Sequence, residues 1–107
     1  MTNIYKINDT DLEEFLAYRS TIKVILYYKQ ECEFCKAQIV DLNNLANTYH
    51  EGIEYALCDI ARKTKFCLKN NITSIPTIQI YENNKLVKQF EAYQPYSELE
   101  RAISLSY

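Results

Sequence analysis

The segment Ile22-Lys23-Val24-Ile25-Leu26-Tyr27-Tyr28 constrains this chain more than any other. It is an almost unbroken apolar run rich in β-branched residues, which favour the pleated backbone. A strand that is apolar at consecutive rather than alternating positions is covered on both faces. The run therefore reads as the central strand of a sheet with layers on either side.

The flanking segments fit that frame. Ile4 to Ile7 is a short strand candidate. Thr10 and Glu13 have capping-box spacing, and Leu12, Phe15 and Leu16 follow at helical spacing, so a helix is expected to end near Arg19. Cys35, Ile39, Leu42, Leu45 and Tyr49 mark a long amphipathic helix, with Gly52 expected at its C-terminal cap. Ile53 to Ile60 reads as a strand, and Arg62 to Lys69 as a short helix stopped by Asn70-Asn71. Thr77 to Tyr81 and Leu86 to Phe90 flank Glu82-Asn83-Asn84-Lys85, and asparagine tolerates the positive φ of a hairpin turn. Pro95 precedes a last helix, with Ser97 and Glu100 as its expected capping box. The order is β-α-β-α-β-α-β-β-α. Strand–helix alternation gives parallel neighbours, and the late hairpin adds an antiparallel pair, so the sheet is mixed α/β. Connections are short throughout, and one domain spanning 1–107 is expected.

Composition narrows the class. Apolar residues make up 48% and the formal net charge is −2, which excludes general disorder. No apolar run reaches the ~18 residues of a membrane span. Met1 to Thr10 has no apolar signal-peptide core, so a cytoplasmic protein that meets no membrane is expected. The 12 basic and 14 acidic residues show no basic cluster along the chain, so nucleic acid is not an expected partner.

The chemistry lies at Cys32-Glu33-Phe34-Cys35, between the buried strand and the long helix. Disulfide exchange needs a thiolate, and free cysteine is mostly protonated at neutral pH. The amides and dipole of a helix N-terminus favour an anion there. A second thiol three residues on lies one helical turn away. It can resolve a mixed disulfide, and the spacing permits an intramolecular bridge. A zinc half-site is the alternative, and zinc needs a second ligand pair. Cys58, Cys67 and His50 do not have paired spacing, so no metal is expected. A CxxC motif in a βαβ context favours redox chemistry.

With Cys32–Cys35 after the Ile22–Tyr28 strand, and Ser74-Ile75-Pro76-Thr77 about forty residues on, the whole chain resembles a thioredoxin. The resemblance implies a thioredoxin-like fold with a central five-stranded sheet flanked by four helices. It implies that Cys32 attacks, that Cys35 resolves, and that Pro76 is cis and faces the cysteines. Its missing N–H prevents strand pairing and leaves the Ile75 backbone free for an extended substrate. It further implies protein-disulfide substrates, a thioredoxin-reductase-like or other thiol donor, no cofactor beyond the cysteine pair, and a monomer. Glu31, Glu33, Phe34, Ile75, Pro76, Ala92 and Tyr93 become the candidate substrate-binding residues.

The chain departs from the family pattern at informative places. The usual motif is Trp-Cys-Gly-Pro-Cys, against Glu31-Cys32-Glu33-Phe34-Cys35 here. The buried Asp of the strand before it is Leu26, its Lys partner is Leu57, and a groove Gly is Ala92. Glutaredoxin is a poorer match, because it wants a Gly-rich glutathione site and this chain has one Gly. Cys58 is expected in the core, and Cys67 is expected to be more exposed, with a regulatory disulfide as a possible role. His50 suits a helix C-terminus rather than catalysis. Asn71-Ile72-Thr73 is a sequon that means nothing without secretion. A thiol–disulfide oxidoreductase acting as a reductant is the leading reading. The alternatives are a binding module that keeps the fold and uses its apolar patch, and a redox sensor.

Overall fold

The computed structural model describes residues 4–17 and 22–104. Strands β1 (Ile4–Ile7), β2 (Ile22–Tyr28), β3 (Ile53–Asp59), β4 (Thr77–Glu82) and β5 (Lys85–Phe90) form one sheet in the order β1-β3-β2-β4-β5. Helices α1 (Leu12–Ala17), α2 (Glu33–Thr48), α3 (Thr64–Lys69) and α4 (Tyr96–Ser104) flank it. β1, β3 and β2 are parallel, whereas β4 runs antiparallel to β2 and to β5. This is the thioredoxin fold expected from the sequence.

β2 is central and buried from Ile22 to Tyr27. Its side chains alternate between two cores, as the pleat requires. Val24 and Leu26 join Leu42, Leu45 and Ala46 of α2 and Leu99 and Ile103 of α4. Ile25 and Tyr27 join Leu12 of α1, Cys58 and Ile72, with Phe66 and Cys67 of α3 packed against them. The consecutive apolar residues thus serve two cores back to back, each fully buried side chain contributing about 1.5–3 kcal/mol.

Local chemistry moved several boundaries. The backbone N–H of Asn8 donates to Asp11 at 2.9 Å, so the first turn is capped by Asn8 and Asp11 rather than by Thr10 and Glu13. The expected helix end near Arg19 lies outside the described residues. Gly52 does not cap α2. The cap is Tyr49, whose N–H reaches Leu45 O at 2.8 Å, and Gly52 takes φ +77° in the turn entering β3. α3 begins at Thr64 rather than Arg62, because Arg62 adopts φ +62° and cannot begin a right-handed helix. The hairpin turn is Asn83-Asn84, both at positive φ, as a two-residue primed turn demands. The Ser97–Glu100 box does not cap α4. Pro95 O accepts from Glu98 N and Leu99 N, while Glu100 accepts from the Tyr49 hydroxyl at 2.9 Å, tying α4 to the end of α2.

Candidate functional site

Strand pairing places the site. Tyr27, near the C-terminal end of β2, is paired with Thr77 at the start of β4. The chain leaving β2 toward Cys32 and the Ile75–Pro76 segment entering β4 therefore emerge at the same end of the sheet. The Ile75–Pro76 peptide is cis, and Pro76 is buried. Among the described residues, neither the N–H nor the C=O of Ile75 has a hydrogen-bond partner.

Cys32 is the N-cap of α2, in extended conformation, and its Sγ accepts the Cys35 N–H at 3.1 Å. The first turn of a helix leaves amides unsatisfied, and here a sulfur takes one of them. Cys32 and Cys35 are disulfide-bonded, with their Cα atoms 5.1 Å apart. Cys32 is half-buried, whereas Cys35 is 1% exposed. Glu31 and Glu33 are exposed on either side of Cys32, and Glu33 pairs with Lys36 at 3.3 Å. Phe34 is 68% exposed, and its ring leans on Tyr93 at a centroid distance of 6.4 Å. Ala92 is exposed beside Tyr93.

Three residues of this neighbourhood carry no signal in the sequence reading: Gln38, Asp41 and Gln94. Gln38 is fully buried on the sheet-facing side of α2. Its Nε2 donates to Gln94 O at 2.9 Å, and its Oε1 accepts the Gln94 N–H at 2.7 Å. The Tyr93 hydroxyl donates to the Asp41 carboxylate. That bond holds the Tyr93 phenol protonated beyond its usual range, with burial and the Asp41 charge adding to the effect. The helix that carries the cysteines thus also anchors the loop 92–94. The position of Gln38, three residues after Cys35, was the only available hint.

Leu26 and Leu57 are register partners in adjacent strands, and Ile78 flanks Leu26 on its other side. Leu26 is fully buried and Leu57 is 8% exposed. The carboxylate and ammonium positions of the family pattern are thus filled by one continuous apolar surface.

The sequence matches the family model described as Thioredoxin over residues 3–105. The chain belongs to the thioredoxin family. It is 26% identical over 82 residues to a thioredoxin of Acetoanaerobium sticklandii, a match covering 76% of this chain and 78% of that protein. It is 26% identical over 96 residues to thioredoxin 2 of Plasmodium berghei, covering 90% of this chain and 61% of that protein. Its fold superposes on that of Fasciola hepatica thioredoxin with a TM-score of 0.84 at 20% identity, covering 97% of this chain and all of the other. The chain is accordingly a thiol–disulfide oxidoreductase with a Cys32–Cys35 bridge.

Burial makes the other two cysteines weaker acids than an ordinary thiol. Cys58 is fully buried, as expected, and burial pushes its thiol up to about 12, with Asp9 and Asp59 adding to the shift. Cys67 is half-buried rather than exposed, and burial raises it too, against the opposing charge of Lys29. His50 is exposed just beyond α2. Among the described residues, no group of three or more His, Cys, Asp or Glu is placed to hold a metal, and no helix is long and apolar enough to cross a membrane.

Proposed function

We propose that this chain reduces protein disulfides, with Cys32 as nucleophile and Cys35 as resolving thiol. The observation that carries this reading is the capping of α2 by Cys32 Sγ, with Cys35 buried one turn along. The Cys32 thiolate attacks one sulfur of the substrate disulfide. A mixed disulfide forms, and the other substrate sulfur leaves as a thiolate and takes a proton. Cys35 then loses its proton and attacks Cys32 Sγ. The second substrate thiol is released, and the enzyme is left with the Cys32–Cys35 disulfide. Two electrons have passed to the substrate. A thioredoxin-reductase-like protein or another thiol donor returns them.

The helix N-terminus stabilises the Cys32 thiolate through the Cys35 amide and the helix dipole. An extended substrate segment would pair with the free N–H and C=O of Ile75, while Pro76 offers no donor to compete. Phe34, Ala92 and Tyr93 form the apolar contact surface, with Glu31 and Glu33 at its rim. We place the protein in the cytoplasm, as a one-domain monomer whose reaction needs only its own sulfurs.

One observation favours a slower cycle than the family pattern suggests. The apolar surface of Leu26, Leu57 and Ile78 offers no group to take the proton from Cys35, and desolvation favours the neutral thiol. A long-lived mixed disulfide would give a binding or sensing role its physical basis. The test is reduction of insulin disulfides by wild type, Cys32→Ser and Cys35→Ser. The reading expects activity in wild type only, and a trapped mixed disulfide at Cys32 in Cys35→Ser. Turnover by Cys32→Ser would overturn it.

A further inference from the structure

The chain as a whole is slightly acidic, but its cations are unevenly placed. From Ile60 to Tyr81 the chain carries four cations, Arg62, Lys63, Lys65 and Lys69, and no carboxylate. With a total of −2, the rest of the chain stands at −6. Lys29, from the loop leaving β2, lies against this segment. Together Lys29, Arg62 and Lys63 line an open cavity of about 460 Å³. Its wall includes Thr73, Ser74 and Ile75, and no Asp or Glu lines it.

The cations are not used up within the protein. Lys63 pairs with Asp9 at 3.0 Å, but neither Lys29 nor Arg62 has a carboxylate partner among the described residues. Both are exposed. The charge of Lys29 is felt at Cys67 within the same cavity. Asp59 is not on the cavity wall, and its carboxylate accepts from Gln30 Nε2 at 3.3 Å and from Ala61 N at 2.9 Å.

We propose that this cavity binds acidic side chains of the protein whose disulfide is being reduced, a few residues from the attacked sulfur. The proposal deepens the reading of Cys32–Cys35 as the redox pair and rests on it. Two arguments select a peptide over a free anion. The cavity wall runs into Ile75, whose unengaged backbone is the edge an extended segment would join. The cations also come from two separate segments and are open to solvent, which suits successive side chains of a passing strand better than one enclosed ion. The overall negative charge of the chain repels acidic partners elsewhere, so this positive patch gives them one orientation.

The test has a binding arm and a kinetic arm. In the first, the oxidised protein is titrated at low salt with a blocked, disulfide-free peptide of alternating Asp and Ala, and amide chemical shifts are followed. Shifts at Lys29, Arg62, Thr73 and Ser74 are expected, and their absence overturns the proposal. A single-stranded oligonucleotide is titrated in parallel. If it moves those amides and the peptide does not, the site is a nucleic-acid site and the proposal is wrong. In the second arm, kcat/KM is compared for disulfide-linked peptides flanked by Asp or by Asn. Exposed ion pairs are weak, so a preference for Asp of about threefold to tenfold is expected, fading with salt. The ratio should fall to about one in the double variant Lys29→Gln/Arg62→Gln and invert toward Lys-flanked peptides in Lys29→Glu/Arg62→Glu. Reading a ratio within each variant cancels any general change in activity. An Asp preference that survives both variants refutes the proposal. Should wild type reduce none of these peptides, the redox reading fails, and the titration still decides whether the cavity binds acidic peptide.

Discussion

Replacing Leu26 by Asp tests the apolar surface beside the redox helix from both sides, stability and rate. Leu26 is fully buried between Leu57 and Ile78, in the core cluster that α2 covers. Truncating a buried leucine costs about 2.7–5 kcal/mol, and Asp refills part of that space. The carboxylate adds a pH-dependent cost. With no cation paired across at Leu57, burial should raise its pKa by about three units above the unfolded value of ~3.9. At about 1.4 kcal/mol per unit, the penalty at pH 7 is about 4 kcal/mol. The sign follows from linkage. A carboxyl whose folded pKa is raised destabilises progressively as pH climbs from the unfolded to the folded value, so at pH 5 only about 1.5 kcal/mol is lost. Urea unfolding of wild type, Leu26→Asp and Leu26→Asn at both pH values reads this directly. The Asn variant should show the packing deficit alone, flat with pH. Stopped-flow decay of the mixed disulfide reads the rate: wild type should resolve slowly at pH 7 and faster as pH rises, and Leu26→Asp should resolve faster at neutral pH. A deficit in Leu26→Asp equal at pH 5 and pH 7, with a resolution rate unchanged from wild type, would refute the reasoning on both counts.

Other outcomes follow from the same geometry. In reduced protein, Cys32 should be alkylated first and Cys35 slowly, since Cys35 is 1% exposed; peptide mapping after brief iodoacetamide treatment that finds Cys35 labelled first reverses the assigned roles. Glu33→Gln removes a like charge beside the thiolate, but Glu33 is 89% exposed and paired, so the potential should rise by only about 10 mV, measured against glutathione. Gln38→Leu deletes both bonds to Gln94 and leaves that backbone unpaired, at a cost of about 1–3 kcal/mol in denaturant unfolding. Cys58 has a folded pKa raised to about 12, so native protein should resist alkylation there, and its contribution to stability should decline as pH rises from about 9 to 12; flat stability across that window, in a comparison with Cys58→Ala, would contradict it.

The β2 run told most about the fold, because its apolar residues serve two cores at once, which only a sheet covered on both faces allows. The cysteine pair was equally legible, since its spacing and its place before a helix are local. What escaped was decided by partners distant in sequence. Glu100 has capping-box spacing with Ser97, yet it bonds Tyr49 across a separation of 51 residues. Gln38 looks like a flaw in an apolar stripe until Gln94 supplies a donor and an acceptor 56 residues away. Gly52 was assigned by residue type, but the helix had already closed on Tyr49. The cations from Arg62 to Lys69 stand together in the sequence, but the cavity was invisible because Lys29 joins them only through the adjacency of β2 and β3.

The sulfur cap on α2 has a consequence for how this helix is built. Serine ranks among the best N-cap residues, and cysteine is not among the preferred ones. The chain therefore holds at position 32 a residue chosen for reactivity over helix stability. An inert serine there should leave the first turn better capped than in the reduced wild type. Protein that has lost its nucleophile should therefore melt later than the reduced enzyme, while the oxidised enzyme keeps the added stability of its Cys32–Cys35 bridge. Selection for folding alone would drift toward that residue, and only selection for chemistry holds the cysteine in place.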